Sequence, residues 1–573
     1  MTESTSTANA SDPILHGRGG VLRDCLFLLL VATLSVAPYV TRLGFYGDDW
    51  AILAALVNAD DSSFRAMWDA QYEQSVNLQR RPTQILYQAV LFRASALNPL
   101  GYHAVNAAVL FLAALFLYFI AREFDPRRVI AVAVAAVYIL LPNYSTDRFW
   151  FAAFTYSLTT MLFLLGVYAF ARAIRSGLPE GWILLGLGAL SAALLGTEVV
   201  FPLTAALPVA LWLRVRQLHP DRSLRQLGVR RGVVVLSPMI VIVPAVLYKA
   251  SFSDVSMIPN IFRMAFIGFG AFAVNFGTYG IALPHTVIWA LRQVSWVALA
   301  LGTVLAVLIY SYLSPMARRV APRARPDWTK LALGGTTIFV LGSAIFLIAP
   351  AVMFWSAGVA NRVWIAASIG VAVAWVAIAG WLSSWLSSGP GCNRAFAAVI
   401  TSICLSGSII NSAVSGFWVS SWRRQLAVLD DVRVAVPKLE SGTDFILDGV
   451  CPYIGPAIVF ESNWDLAGAL RIIYRDRTLR ADVTTGDLSI GEDGLRTHLF
   501  LKSYFHPYGD NLLLFDYNKR IVHRLTDVGI ARSYLSERVR CPAGAAGRGA
   551  LMLPMDEWYG NGFRPWRRDK ARP

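Results

Sequence analysis

Two adjacent carboxylates, Asp48 and Asp49, stand in the stretch Gly44-Phe45-Tyr46-Gly47-Asp48-Asp49-Trp50, directly after the first long apolar run, Cys25 to Val40. An ionised Asp at mid-bilayer costs about 2.5–3.5 kcal/mol on insertion scales, so the pair belongs at or beyond a membrane surface. Gly44 and Gly47 let the chain turn there, and Phe45, Tyr46 and Trp50 suit an interfacial belt. Adjacent acids in a partly apolar setting repel, which raises one pKa and leaves a base poised for a proton. Either acid could equally cap a helix starting at Trp50, or the two could hold a divalent cation such as Mg or Mn.

Other ionisable groups recur at similar boundaries. Arg80 and Arg81 match phosphate oxygens bidentately, or anchor a surface helix to headgroups. His103 opens the second apolar run as a catalyst or an interfacial hydrogen bonder. Glu198 lies between two apolar runs, where such groups face a cavity or a partner, or merely sit in a tight turn. Arg362 would hold a further phosphate oxygen or snorkel to headgroups, and Lys249 is expected to snorkel.

These residues need elements to position them, and composition names the kind. The chain of 573 residues is 56% hydrophobic and 15% charged, with mean hydropathy +0.51. Apolar runs of about 20 residues predict a polytopic α-helical membrane protein. The 18 tryptophans fit interfacial anchoring. The net charge of +15 sits largely in short loops between apolar runs, so topology accounts for it without a nucleic-acid partner.

The first span is predicted at 22–41, an uncleaved signal anchor, since Pro38 directly follows the cleavage-like Ser35-Val36-Ala37. Residues 1–20 are small and polar and read as a disordered cytoplasmic N-terminus. A long outer loop, 42–102, carries the acidic pair, and Ile85, Leu86, Ala89, Val90 and Phe92 predict a helix lying on the membrane surface. Further spans are expected near 104–121, 128–142, 149–172, 182–197, 199–214, 232–249, 286–311, 331–352, 364–386 and 395–416, about eleven in all. The Gly-rich stretch 260–283 reads as re-entrant. Placing Arg122, Arg127, Arg128, Arg172, Arg175, the arginines of 214–231 and those of 318–325 in the cytoplasm satisfies the positive-inside rule. The 42–102 loop, the Asn143–Arg148 turn, Glu198, Lys249 and Asn361-Arg362 then face outwards across a plasma (inner) membrane.

The multi-pass part is taken as 21–418 and a C-terminal extracytoplasmic domain as 419–573. Phe445-Ile446-Leu447, Ala457 to Phe460 and Asn511 to Phe515 read as strands and Asn463 to Tyr474 as a capped helix, giving a small α/β or α+β fold. Of the five cysteines, Cys451 and Cys541 lie in this tail. An oxidising compartment permits a disulfide between them, worth about 4–5 kcal/mol for a loop of about ninety residues, with two buried thiols as the alternative.

The layout resembles the GT-C fold glycosyltransferases, which take sugars from polyprenyl-phosphate carriers. The resemblance covers about 20–418. It rests on Asp48-Asp49-Trp50, Arg81-Pro82, Pro99-Leu100-Gly101-Tyr102-His103, Asn106 and the Glu198 position, in that order relative to the spans. It implies that Asp48 or Asp49 is the catalytic base or binds metal. With it, the expected function is transfer of a sugar from a polyprenyl-phosphate donor to a hydroxyl of an envelope glycan, lipid or protein on the outer side. Arg80, Arg81 and Arg362 would bind the donor phosphate, and His103 and Glu198 would line the cavity. The rival expectations are a transporter or lipid flippase, or a non-catalytic envelope scaffold.

Overall fold

A computed structural model describes residues 18–220, 229–252, 261–318, 327–347, 355–386, 390–484, 488–499 and 502–535. Residues 1–17, Arg222, Arg225, Arg319, Arg323, Arg325, Cys541 and the basic C-terminus lie outside them. Arg18–Val36 is helical, so residues 18–20 open the first helix instead of completing a disordered leader.

The chain is a multi-pass helical membrane protein. Among the described residues, 9 helices are long and apolar enough to cross a bilayer, or up to 11 if each of two bent pairs is one span. The membership differs from expectation. The run at 182–197 forms the short helix Glu180–Leu194. The 286–311 run is divided, and its second part joins the span Trp296–Ala317. Its first part, Leu283–Leu291, pairs with Ile267–Ile281 at a 66° bend, which makes the Gly-rich stretch one arm of a broken or re-entrant element. Pro284 explains the break, since a proline is accepted in the first turn of a new helix but not in the interior of an old one.

One end of the bundle is closed by ion pairs between span termini. Glu123 is held by Arg214 at 2.9 Å, Arg175 at 3.3 Å and Arg172 at 3.4 Å. Asp24, fully buried in the first span, binds Arg128 at 2.6 Å and accepts from the Tyr118 and Tyr312 hydroxyls at 2.7 Å each. Intramembrane acids persist only where such partners exist. The acidic-pair loop, Glu198, Lys249 and Arg362 lie at the opposite end.

That loop is largely helical, with Asp48–Val57, Phe64–Tyr72 and Pro82–Ser95 as its main elements. The last of these buries Ile85, Ala89 and Leu91 and leaves Leu86 and Val90 exposed, so apolar residues lie on both of its faces and the amphipathic pattern expected of a surface helix is not present. The last long apolar helix among the described residues, Pro390–Ala435, runs 46 residues. The expected domain boundary at 418–419 therefore falls inside a continuous helix that carries the C-terminal domain.

That domain contains strands β1 (Asp444–Asp448), β2 (Tyr453–Ile454), β3 (Ala457–Ile458), β4 (Arg480–Val483), β5 (Ser489–Ile490), β6 (Gly494–Leu499), β7 (Lys502–Pro507), β8 (Leu512–Asp516) and β9 (Ile521–Arg524). The main sheet has the order β4-β1-β8-β9; β1 is parallel to β4 and β8, and β9 is antiparallel to β8. β1 is buried along its whole length, as a central parallel strand requires. The helix Asn463–Tyr474 crosses between β1 and β4 and starts with a Ser462/Asp465 capping box. Phe445, Leu447, Leu466 and Leu470 share one apolar core with Phe45, Trp50, Leu53 and Leu56 of the loop. The tail is thus packed onto the acidic-pair segment.

Candidate active site

Gly47 adopts φ +49°, a left-handed conformation that glycine reaches without penalty, and the chain enters the Asp48–Val57 helix there. The two acids occupy its first turn but do different things. Asp49 is fully buried. Its Oδ2 accepts from the Tyr46 amide at 2.8 Å and its Oδ1 from the Ala152 amide at 2.7 Å. Burial pushes its carboxyl well above the usual range, against those amides, which favour the anion. Asp49 clamps the loop to the segment after Trp150 and presents no oxygen to solvent. The capping expectation is corrected in detail: neither acid is the N-cap, which is Gly47.

Asp48 is half-buried. Its Oδ1 accepts from the Trp464 indole N–H at 2.8 Å. No donor among the described residues holds its Oδ2, so this carboxylate alone of the pair can reach a substrate.

Trp150 links the acids to the cations. Its indole N–H donates to the Tyr46 carbonyl at 2.7 Å, and a Cβ on Gly47 would lie 3.6 Å from its Cζ2. The Arg362 guanidinium sits over its ring, 4.5 Å from the centroid, and 6.0 Å from that of Tyr156. Arg362 makes no hydrogen bond or ion pair among the described residues, so its donors remain for a ligand. Its place is fixed by buried Asn361, whose amide donates to the Asn143 and Ser356 carbonyls at 2.7 Å each and whose Oδ1 accepts from Ser145 and Thr146 at 3.1 Å each.

Tyr156 also lies within electrostatic reach of Arg81. Arg81 precedes Pro82, which opens a helix held against Glu180–Leu194 by Thr83 Oγ1 donating to the Ala192 carbonyl at 2.8 Å. That docking brings Arg81 to Glu198, in a fork of 2.6 Å (Nη2 to Oε2) and 3.3 Å (Nε to Oε1). Lys249 reaches Glu198 Oε1 at 2.8 Å and is only 8% exposed. The snorkelling expected of Lys249 is therefore replaced by a buried ion pair. Arg80 lies close enough to Lys249 to repel it, and its guanidinium donates to the Phe252 carbonyl.

His103 does not join this arc. It is 2% exposed, its Nε2 lies 3.0 Å from the Gly44 carbonyl, and its ring packs on Phe154. Through that carbonyl it braces the acidic loop. Among the described residues, no three His, Cys, Asp or Glu side chains are grouped to hold a metal ion. Each Asp49 oxygen accepts from one amide, while Asp48 Oδ2 is the more open oxygen of the pair. Cys451 is disulfide-bonded, and its expected partner Cys541 lies outside the described residues.

The structure adds Asp147, which the sequence reading passed over. It is fully buried, neither carboxylate oxygen has a hydrogen-bond partner among the described residues, and it lies within electrostatic reach of Arg362 and Arg148. An Asp-Arg pair between apolar runs was the available signal.

No protein-family model and no curated protein matches the chain. Among solved structures it is similar to the crystal structure of ArnT from Cupriavidus metallidurans bound to undecaprenyl phosphate, with 15% identity and a TM-score of 0.35 over 82% of this chain and 87% of that one. The apo state of the same protein aligns with 15% identity and a TM-score of 0.33 over 80% and 84%. The layout set out for the GT-C resemblance is present in the chain itself: a first span, an acidic pair directly after it, a helical loop, many spans and a C-terminal domain.

Proposed function

We propose that this protein is a membrane glycosyltransferase that moves a sugar from a polyprenyl-phosphate carrier to an acceptor hydroxyl at the outer face of the plasma membrane. The observation that carries the reading is a run of cations, Arg80, Arg81, Lys249 and Arg362, that outnumbers its acids, Glu198 and Asp147, beside a carboxylate with one open oxygen. Excess positive charge where spans meet water suits a lipid phosphate, and a guanidinium matches its oxygens.

In the reaction, Asp48 Oδ2 takes the acceptor hydroxyl proton while the hydroxyl oxygen attacks the anomeric carbon. The bond from that carbon to the phosphate oxygen breaks, and polyprenyl phosphate leaves with the electron pair. Arg362 and the Arg80/Arg81 side stabilise the charge growing on the phosphate. A single displacement inverts the anomeric centre. Glu198 sets the geometry of Arg81 and Lys249, and Asp147 holds the field around Arg362.

The test uses purified full-length protein in lipid vesicles with a panel of polyprenyl-phosphate-linked hexoses and pentoses. Release of polyprenyl phosphate is expected, and Asp48→Asn should lower it by about 10²–10⁴-fold without loss of folded protein. Movement of intact donor across the vesicle, with no bond broken, would instead establish a flippase. Full activity in Asp48→Asn would remove the base assigned here.

A further inference from the structure

The polar contact that orients Asp48 does not come from the membrane part. It comes from Trp464, 416 positions further along the chain, in the first turn of the helix Asn463–Tyr474. The indole N–H donates to Oδ1 at 2.8 Å and leaves Oδ2 as the oxygen that can accept a proton. The contact belongs to a rigid crossing. A Cβ on Gly468 would lie 2.5 Å from the Trp50 carbonyl carbon and 2.7 Å from the Ala51 nitrogen, so this helix and Asp48–Val57 meet backbone to backbone. A second indole tie crosses nearby, from Trp50 Nε1 to Gln425 Oε1 at 2.6 Å, but it does not touch Asp48.

We infer that Trp464 is a positioning residue for Asp48, so that the C-terminal domain is a structural part of the active site and not an appended binding module. This deepens the glycosyltransferase reading and rests on it. With Oδ1 held by the indole N–H, the carboxylate is fixed in direction and Oδ2 is the oxygen turned to the acceptor. Gly468 sets the distance, because any side chain there pushes Trp464 away from Asp48.

The experiment measures kcat and donor KM on the panel donor that the wild type cleaves. Trp464→Phe keeps an aromatic ring and removes the N–H. It should lower kcat about tenfold and leave donor KM within about twofold. In an Asp48→Asn background, Trp464→Phe should add no further loss. Gly468→Ala should reproduce the fall in kcat at unchanged donor KM. Trp50→Phe breaks the neighbouring tie and should leave kcat where it is. A wild-type kcat in Trp464→Phe, or an equal further fall in the Asp48→Asn background, would overturn the inference while an inactive Asp48→Asn still upheld glycosyl transfer. Full activity in Asp48→Asn would overturn both.

Discussion

Two polar clusters join distant parts of this chain, and they are built to opposite ends. In the C-terminal domain, His506 lies between two carboxylates. Its Nδ1 is 2.9 Å from Asp444 Oδ2 and its Nε2 3.2 Å from Asp482 Oδ2. Thr497 donates to Asp482 at 2.6 Å and Arg480 pairs with Asp444 at 2.9 Å. An imidazolium and a guanidinium balance two carboxylates, and His506 is 3% exposed. At the membrane face, by contrast, Arg362 has only aromatic faces and an unbonded Asp147 nearby, and Asp48 keeps an oxygen open. A cluster whose charges close on themselves is a brace; one with charge left over is prepared for a ligand. The adjacent pair Asp48 and Asp49 repeats the lesson within two residues.

The comparison is most easily broken at the brace. His506→Ala would leave Asp444 and Asp482 facing each other in a buried site. Removing one partner of such a network costs about 3–5 kcal/mol. Chemical unfolding of the full-length protein should show that loss, with the separate β5-β6-β7 sheet that carries His506 losing protection first in hydrogen exchange. If His506→Ala unfolds like the wild type, the cluster is no brace. At the membrane face the expectation inverts. Arg362→Ala should leave unfolding unchanged and cut turnover roughly ten- to hundred-fold, as loss of one charge-assisted contact would. Lysine at 362 should recover part of it, because it restores the charge without the fork. A stability loss in Arg362→Ala with normal turnover would make this cluster a second brace.

Much of this architecture was legible in order and type. The helix expected at Asn463 to Tyr474 is present at those bounds, because Ser462 and Asp465 form a local signal. Strands at 445–447 and 511–515 were legible because continuous apolar runs mark central strands. β4 was not, because its Arg480-Ala481-Asp482-Val483 places a buried acid where pattern rules expect an apolar residue. His506 and Thr497, from distant strands, make Asp482 tolerable there. The site shows the same division. The acid pair, Arg81, Glu198 and Arg362 announced themselves as charges at span boundaries. That Asp49 is a clamp and Asp48 the open group depends on the Ala152 amide and the Trp464 indole, both remote in sequence. The salt bridge of Lys249 to Glu198 was hidden for the same reason: a Lys at a span end looks identical whether it snorkels or pairs.

The finest probe of the contrast is pH. Burial alone would lower the His506 pKa, but Asp444 and Asp482 raise it to about 9 from an unfolded value of 6.5. The folded state then binds the proton more tightly than the unfolded state. Its stabilisation is complete below pH 6.5 and is lost as pH rises through 9. Asp465 titrates nearby with the same sign, since its folded pKa is raised as well. Burial raises it to about 7, against the Glu461, Leu466 and Ser462 amides, so its effect falls between the unfolded carboxylate pKa and pH 7 and is largely over above that. Between pH 7 and 9 the domain should therefore lose stability on the order of 1–2 kcal/mol through His506. Thermal unfolding of the full-length protein across that window should slope downward in the wild type and lie flat in His506→Gln. An equal slope in both would place the titrating group elsewhere and remove the charged imidazolium from the Asp444–His506–Asp482 cluster.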